Sequence, residues 1–420
     1  MRILLSIVIL LTLIYAPVPN LFLKTRMYTD VSSYFRAEQK PTHLIARKWM
    51  ALALEIQKKE NFAAAGTARF YAYIASVYDD VLVATGDTGQ ASIAASQVLL
   101  QLAPKHTQEV NSLLRSLHLA NLRKSPKTTG IILDYSDRIL HDNSSLVWDK
   151  ETPNIPYAWY IRDDTVDGGA MAGTWSTWGP ESSRTIDVPP PPAPHSLADQ
   201  VEIEKIRYAT NRRRPQDANT IRVWQGSIGF DKIKSSDNIN PSGVWQNILF
   251  IELGSELEEK TYSRIQKMLA QVQADAFIAA WHIKYTYYSM RPSMRDQNLI
   301  LAIKDPPFPG YVSGHSTCSS AAATVLTYFY PQKKSLWWQN ANDAKTSRLS
   351  GGIHMDIDNQ MGEYVGTRVG EKYLAHIVPK EYHLSPEHNT PAKLDSSTML
   401  LVKYILLKLA NMREHIYIDF

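Results

Sequence analysis

Residues 261–290 read TYSRIQKMLAQVQADAFIAAWHIKYTYYSM, and this stretch decides the fold class. It reads as part of one long helix that begins at about Pro241 or Leu257. Arg291–Pro292 is expected to end it, because the residue before a proline is pushed out of the helical region. On the N-terminal side, from about 42 to 119, RKWMALALEIQKK, FAAAGTARFYAYIASVYDDVLVATG and ASIAASQVLLQLAP repeat apolar positions at three- and four-residue spacing, with Ala-rich interfaces. Gly86 and Gly89 separate the second and third of these, and Pro104 ends the third. HTQEVNSLLRSLHLANLRK and TTGIILDYSDRILHDN add two helices, the last closing at about 141–143. SLADQVEIEKIRYA and PQDANTIRVWQG lie between that group and the long helix, and STCSSAAATVLTYFY, GEYVGTRVGEKYLAHIV and STMLLVKYILLKLANMREH follow it. Strand signals are few, so the expected class is mainly α.

From 144 to 197 the periodicity stops. Gly, Pro, Trp and Ser dominate, and four prolines run from 189 to 192. Trp159, Trp175 and Trp178 are too costly to expose, so the segment is expected to be an ordered loop. It either lines a cleft or simply packs over the core. The organisation expected is a targeting segment at 1–17, a helical bundle over 28–143, the loop at 144–197, and a second helical bundle over 198–420. One compact unit over 28–420 fits the pattern equally well.

The chain has 420 residues, 44% hydrophobic and 20% charged, which is enough for a large core. Its formal charge of +4 is diffuse and argues against nucleic acid as a partner. The densest basic cluster, NRRRP at 211–215, reads as a solvated helix start or loop. A single cysteine, Cys318, excludes an intrachain disulfide and a Cys-rich metal site. The opening MRILLSIVILLTLIYAPVPN has one basic residue and an apolar run from Ile3 to Ala16. That length suits a signal peptide better than a full span, while the poor cleavage site keeps an uncleaved anchor open. Export to the periplasm or beyond is expected, with a soluble catalytic part.

Three clusters between Trp281 and Asp358 carry chemistry. KYTYYSMRP places Lys284 and Arg291 seven residues apart, almost two helical turns, so both can point one way. Alone, they could be a surface lysine and a helix C-terminal charge. PPFPGYVSGH ends in Ser313, Gly314 and His315, just before a helix whose free N–H groups attract anions. Ser313 could equally be a plain N-cap. GHSTC lacks the second glycine of a serine-hydrolase elbow. SRLSGGIHMDID carries Arg348, then His354 and Asp358 one turn apart, so the carboxylate can orient the imidazole. Gly351–Gly352 lets the backbone turn between Arg348 and His354. Asp356 is a competing partner, and a metal site of His315, His354 and Asp356 is conceivable, though the three cations would repel it. Together the clusters supply what is needed to hold a tetrahedral oxyanion and act on it by acid–base or nucleophilic chemistry.

In order and internal spacing, Lys-x6-Arg-Pro, Ser-Gly-His and Ser-Arg-x5-His-x3-Asp resemble the signature of the vanadium-dependent haloperoxidase and phosphatidic acid phosphatase type 2 superfamily. Val312 departs from it, since the signature has proline before Ser-Gly-His. Trp281 three before the lysine and Phe308 in PPFPGY are similar to the haloperoxidase branch, and NRRRPQDANTIRVW and PSGVWQN look like upstream stretches of bacterial members. The resemblance implies an α-helical fold of two four-helix bundles. It implies that Lys284, Arg291 and Arg348, with Ser313 and the Gly314 N–H, bind the oxygens of vanadate or phosphate. His354 would be the vanadium ligand or the phosphorylated nucleophile, His315 the acid–base residue, and Asp358 the group that holds the tautomer of His354. The activity implied is a haloperoxidase using vanadate, hydrogen peroxide and halide. The alternatives are a cofactor-free phosphomonoesterase working through a phosphohistidine, and a non-catalytic oxyanion-binding protein. Oligomeric state is not legible.

Overall fold

The computed structural model describes residues 40–60, 62–144, 156–160, 169–225 and 239–382. The targeting segment at 1–17 and the final helix expected at 397–415 lie outside the described residues. Among the described residues all regular structure is helical, apart from one isolated antiparallel bridge between Ala158 and Ser289. The helices are α1 (Ile45–Glu60), α2 (Ala64–Thr85), α3 (Thr88–Leu102), α4 (Thr107–Ser116), α5 (Pro126–Ser144), α6 (Leu197–Asn211), α7 (Pro215–Val223), α8 (Pro241–Leu253), α9 (Glu259–Tyr287), α10 (Pro292–Arg295), α11 (Gly314–Phe329), α12 (Lys334–Gly351) and α13 (Asp356–Tyr382). No described helix is long and apolar enough to cross a membrane.

The long helix expected from residues 261–290 is α9, separated from α8 at Gly254–Glu258, and it is the axis of the molecule. It packs on α1 and α2 on one side and on α8, α11 and α13 on the other. One contiguous apolar cluster therefore runs from Leu44 to Val378. A helix enclosed on all sides must bury polar residues too, and each then needs a partner. Ser263 donates to Asp79 at 2.8 Å, Lys267 to Asp80 at 2.8 Å, and Gln271 to Ser76 at 2.8 Å while accepting from Tyr373 at 2.5 Å. These rungs fix the register of α9 against α2 and α13. Glu259, in the first turn of α9, accepts the N–H groups of Ile45 and Ala46 at 2.7 Å each and so caps α1.

α9 ends at Tyr287, earlier than the proline rule places it. Tyr288 turns into the left-handed region (φ 46°), and its N–H donates to the Lys284 carbonyl at 2.9 Å. Arg291 is consequently not on α9. It is the extended N-cap residue of α10, so a turn, not helical spacing, brings it near Lys284.

α11 and α13 approach through a glycine seam. A Cβ built on Gly366 would lie 2.1 Å from the Thr317 carbonyl oxygen, one on Gly362 would lie 2.6 Å from that of Ser313, and one on Gly370 would lie 2.8 Å from Thr324 Cβ. Glycine at every fourth position clears one face of α13, letting the two backbones close to a distance no side chain permits.

In the Gly/Pro/Trp segment, Trp159 and Trp175 are buried. Trp175 stacks under the Arg69 guanidinium at 3.7 Å and Trp178 under that of Arg138 at 3.6 Å, on the α2 and α5 side. For these two tryptophans the plain packing alternative holds. The proline run lies nearer the site: Tyr287 donates to the Val188 carbonyl at 3.0 Å and Tyr311 to that of Pro189 at 2.6 Å.

Asp275, fully buried on α9, accepts the N–H groups of Trp178 and Gly179 at 2.8 Å each. Burial nevertheless lifts its carboxyl to about 7. A carboxyl raised on folding stabilises the fold most at acid pH, and the contribution fades as pH climbs from about 4 through 7. Asp275→Asn is therefore expected to flatten the fall in melting temperature between pH 5 and 8. Parallel slopes for the two proteins would contradict this.

Candidate active site

His354 sits on the short turn between α12 and α13, and both flanks of that turn are built by sequence. At the end of α12, Gly352 adopts φ 86°, its N–H donates to the Leu349 carbonyl at 3.0 Å, and the Ile353 N–H donates to the Arg348 carbonyl at 3.2 Å. This is a Schellman closure, which needs a residue free to adopt positive φ. At the start of α13, Asp358 Oδ2 accepts the Met355 N–H at 3.1 Å and also meets His354 Nδ1 at 3.1 Å.

Arg291 reaches the same turn from the other side. Its Nε donates to the Phe308 carbonyl and its Nη1 to the Ile353 carbonyl, both at 2.9 Å, and Nη1 lies 3.0 Å from His354 Nε2. A guanidinium only donates, so Nε2 is the acceptor and the ring proton is on Nδ1, facing Asp358. The contacts thus select one tautomer of His354.

Lys284 is buried and donates to the carbonyls of Pro309 and Gly310, at 2.7 Å each. Its ammonium lies 5.3 Å from the ring centre of Phe308. Arg348 donates from Nε to Ser347 Oγ at 2.9 Å and from Nη1 to the Gln225 carbonyl at 3.4 Å. Ser313 caps α11, its Oγ accepting the Ser316 N–H at 3.5 Å, and its own N–H donates to the Asp358 carbonyl at 2.9 Å. The Tyr311–Val312 peptide, at the position where the signature has proline, is cis.

The charge balance is one-sided. Three cations, Lys284, Arg291 and Arg348, are buried here, and the Asp358 carboxylate feels the first two of them, while Asp305 also acts on Arg291. Burial lowers Arg291 to about 10 and, with Arg291 beside it, Arg348 to about 9. Burial and then Arg291 hold Lys284 and His354 well below their usual ranges, and burial and then Arg348 do the same to His315. Burial raises Asp358 to about 6 against the pull of Lys284. Arg291 Nη2, Arg348 Nη2 and His315 Nε2 are buried without a hydrogen-bond partner.

Gly314, His315, Arg348 and His354 line a pocket walled by Phe277, Trp281, Pro306 and Phe308. Ala64, Pro241 and Gly314, the first residues of α2, α8 and α11, all reach it, so three helix N-termini add to its positive potential. Lys284, Arg291, Ser313 and Asp358 are buried beside these residues, Arg291 and Asp358 touching His354 directly. A side chain at Gly314 would press on Phe277 and Trp281, its Cβ 3.2 Å from each.

The structure does not bring Asp356 to the histidines. Its carboxylate binds Lys205 at 3.1 Å and Gln360 at 2.7 Å, and no group of three metal-ligating side chains occurs among the described residues. The three-ligand metal alternative is therefore dropped. Within the basic cluster at 211–215, Arg212 and Arg214 are exposed as expected, but Arg213 is not purely solvated: it donates to the carbonyls of Ser350 at 2.8 Å and Ile300 at 2.6 Å. Residue identity does not announce the carbonyls of Gln225, Phe308, Pro309, Gly310 and Ile353 that hold the cations.

No protein-family model matches the chain, and no curated protein matches it. Solved structures do. A bacterial vanadium-dependent iodoperoxidase, described as the first of its kind, is 20% identical with a TM-score of 0.66, over 80% of this chain and 97% of that one. The holo form of a bacterial vanadium-dependent chloroperoxidase is 11% identical with a TM-score of 0.59, over 80% and 94% of the two chains. An apo-type bacterial chloroperoxidase structure is 10% identical with a TM-score of 0.57, over 86% and 96%. The chain has the all-α fold of the vanadium-dependent haloperoxidases.

Proposed function

We propose that this protein is an exported vanadate-dependent haloperoxidase that oxidises halide with hydrogen peroxide. The observation that carries the reading is the pair of buried, unpartnered donors, Arg291 Nη2 and Arg348 Nη2, on the arginine that contacts a tautomerically fixed His354 and on the one that lines its pocket. Leaving such donors unsatisfied is costly, and an oxyanion supplies what they lack. The residues therefore fit vanadate. Bound there, vanadate would supply the Lewis acidity that activates peroxide for oxygen transfer to halide. Arg291 and Arg348 would hold its oxygens, and Lys284 would add its third hydrogen, the other two being held by Pro309 and Gly310. His354 would offer its Nε2 lone pair to the bound vanadate, with Arg291 Nη1, which now lies against that nitrogen, donating to an oxyanion oxygen instead. His315, whose Nε2 has no hydrogen-bond partner, would move a proton. Phe277, Trp281 and Phe308 exclude water. The similarity to an iodoperoxidase and to chloroperoxidases supports this reading over a phosphatase built on the same donors. The apolar run at 1–17 supports export or a membrane tether.

A paired assay on protein lacking the residues before Pro17 tests the proposal. One half is loaded with orthovanadate and given peroxide, bromide and a dione reporter. The other, free of vanadate, is given a chromogenic phosphate monoester. Vanadate-dependent bromination that phosphate inhibits is expected. Phosphate release that vanadate blocks, without bromination, would make the protein a phosphomonoesterase. Lys284→Met is expected to weaken oxyanion binding about tenfold to a hundredfold, the loss of one charge-assisted hydrogen bond, as titration calorimetry with phosphate would show.

A further inference from the structure

We propose that Glu202 and Arg213 are positioning residues that hold the His354 turn from outside, one at each end. The proposal rests on the reading that His354 is the reacting residue. Glu202, on α6 and almost fully buried, accepts the N–H of Ile357 at 2.8 Å, in the first turn of α13 and next to Asp358. A second carboxylate oxygen takes Lys205 at 2.7 Å, and Lys205 in turn binds Asp356. A carboxylate is thus set against the N-terminus of α13, where a helix prefers negative charge. Two residues beyond the end of α6, Arg213 does the converse. Its Nε donates to the Ser350 carbonyl at 2.8 Å, one of the unpaired carbonyls closing α12, where a helix prefers positive charge. Its Nη2 donates to the Ile300 carbonyl at 2.6 Å, in the loop whose Ala302 N–H donates to the Gly351 carbonyl at 3.0 Å.

His354 therefore lies between two helix ends that one neighbouring element pins with complementary charge. Its imidazole must keep Nδ1 on Asp358 and Nε2 toward the pocket, and both depend on where the first turn of α13 starts. Without the Glu202 carboxylate, the Ile357 N–H loses its acceptor, and the first turn of α13, which carries Asp358, is no longer fixed from outside. With Arg213 gone, the Ser350 carbonyl and the Ile300 loop separate, and the Schellman turn that aims Ile353 and His354 loosens.

The test reads the ring of His354 directly, by imidazole nitrogen NMR on the full chain, its signal assigned by loss in His354→Gln. Native protein is expected to show a neutral ring with the proton on Nδ1. Glu202→Ala and Arg213→Ala should shift that signal toward a mixture of tautomers and raise the dissociation constant of inorganic phosphate about tenfold. Glu202→Gln keeps an acceptor for Ile357 and should restore both. A lower melting temperature with an unchanged His354 signal and unchanged phosphate affinity would mean a merely structural role and overturn the proposal. Failure of Glu202→Gln to restore the signal would overturn it for Glu202. Because the ring signal requires no turnover, these outcomes stay separate from the fate of the haloperoxidase reading.

Discussion

His354→Ala is expected to abolish turnover, by about 10³-fold or more, while the protein stays folded and still binds phosphate weakly through its cations. The His354 ring has a guanidinium on one nitrogen and a carboxylate on the other, which together direct its lone pair. Asp358→Ala should cost less, about tenfold to a hundredfold, because it removes the orientation of the ring and not the ring itself. The pH dependence follows with a definite sign. Burial pushes Asp358 up to about 6, so as pH falls through that range its carboxylate is protonated, Nδ1 is left facing a weaker, uncharged acceptor, and activity falls. Full activity in purified His354→Ala protein would remove His354 from the chemistry, and with it the assignment of the site.

Gly366→Ala should destabilise the protein by at least about 1–3 kcal/mol, more than a single methyl costs on a free helix face. Its Cβ would occupy the place of the Thr317 carbonyl oxygen, which α11 cannot withdraw without parting from α13. Parting would also move Ser313 and His315, which ride on the start of α11, away from His354 and Asp358. Oxyanion affinity should therefore fall together with stability. Gly130→Ala, within α5 and facing no atom within 4 Å, is the control, expected to stabilise by about 0.5–1 kcal/mol. Chemical denaturation of both variants checks the contrast. Equal effects would mean that the seam is not tight.

The helical class was legible because α1, α2 and α3 repeat apolar positions at three- and four-residue spacing, and the three clusters were legible because cations, histidines and glycines keep short fixed spacings. Other features depend on the chain's path. The seven-residue spacing of Lys284 and Arg291 suggests two helical turns, yet the chain leaves the helix at Tyr288, in a conformation no rule assigns to tyrosine. Gly362, Gly366 and Gly370 are visible in the sequence, but glycine alone reads as a weak helix former, and only the facing Ser313, Thr317 and Thr324 explain them. That Trp175 and Trp178 are sheltered could be foreseen; that their partners are Arg69 and Arg138 could not, since those arginines stand far upstream. Arg213 looked solvated because its partners are backbone carbonyls, which every residue offers.

The hydrogen bonds of the site close into a ring of dependence. Lys284 ties the first cluster to the backbone of the second through Pro309 and Gly310. Asp358 ties the third to the second by accepting the Ser313 N–H, and Arg291 ties the first to the third through Ile353 and His354. In such a ring no segment can drift alone. Evolutionary change in one cluster is epistatic with the other two, so paired substitutions should depart from additivity.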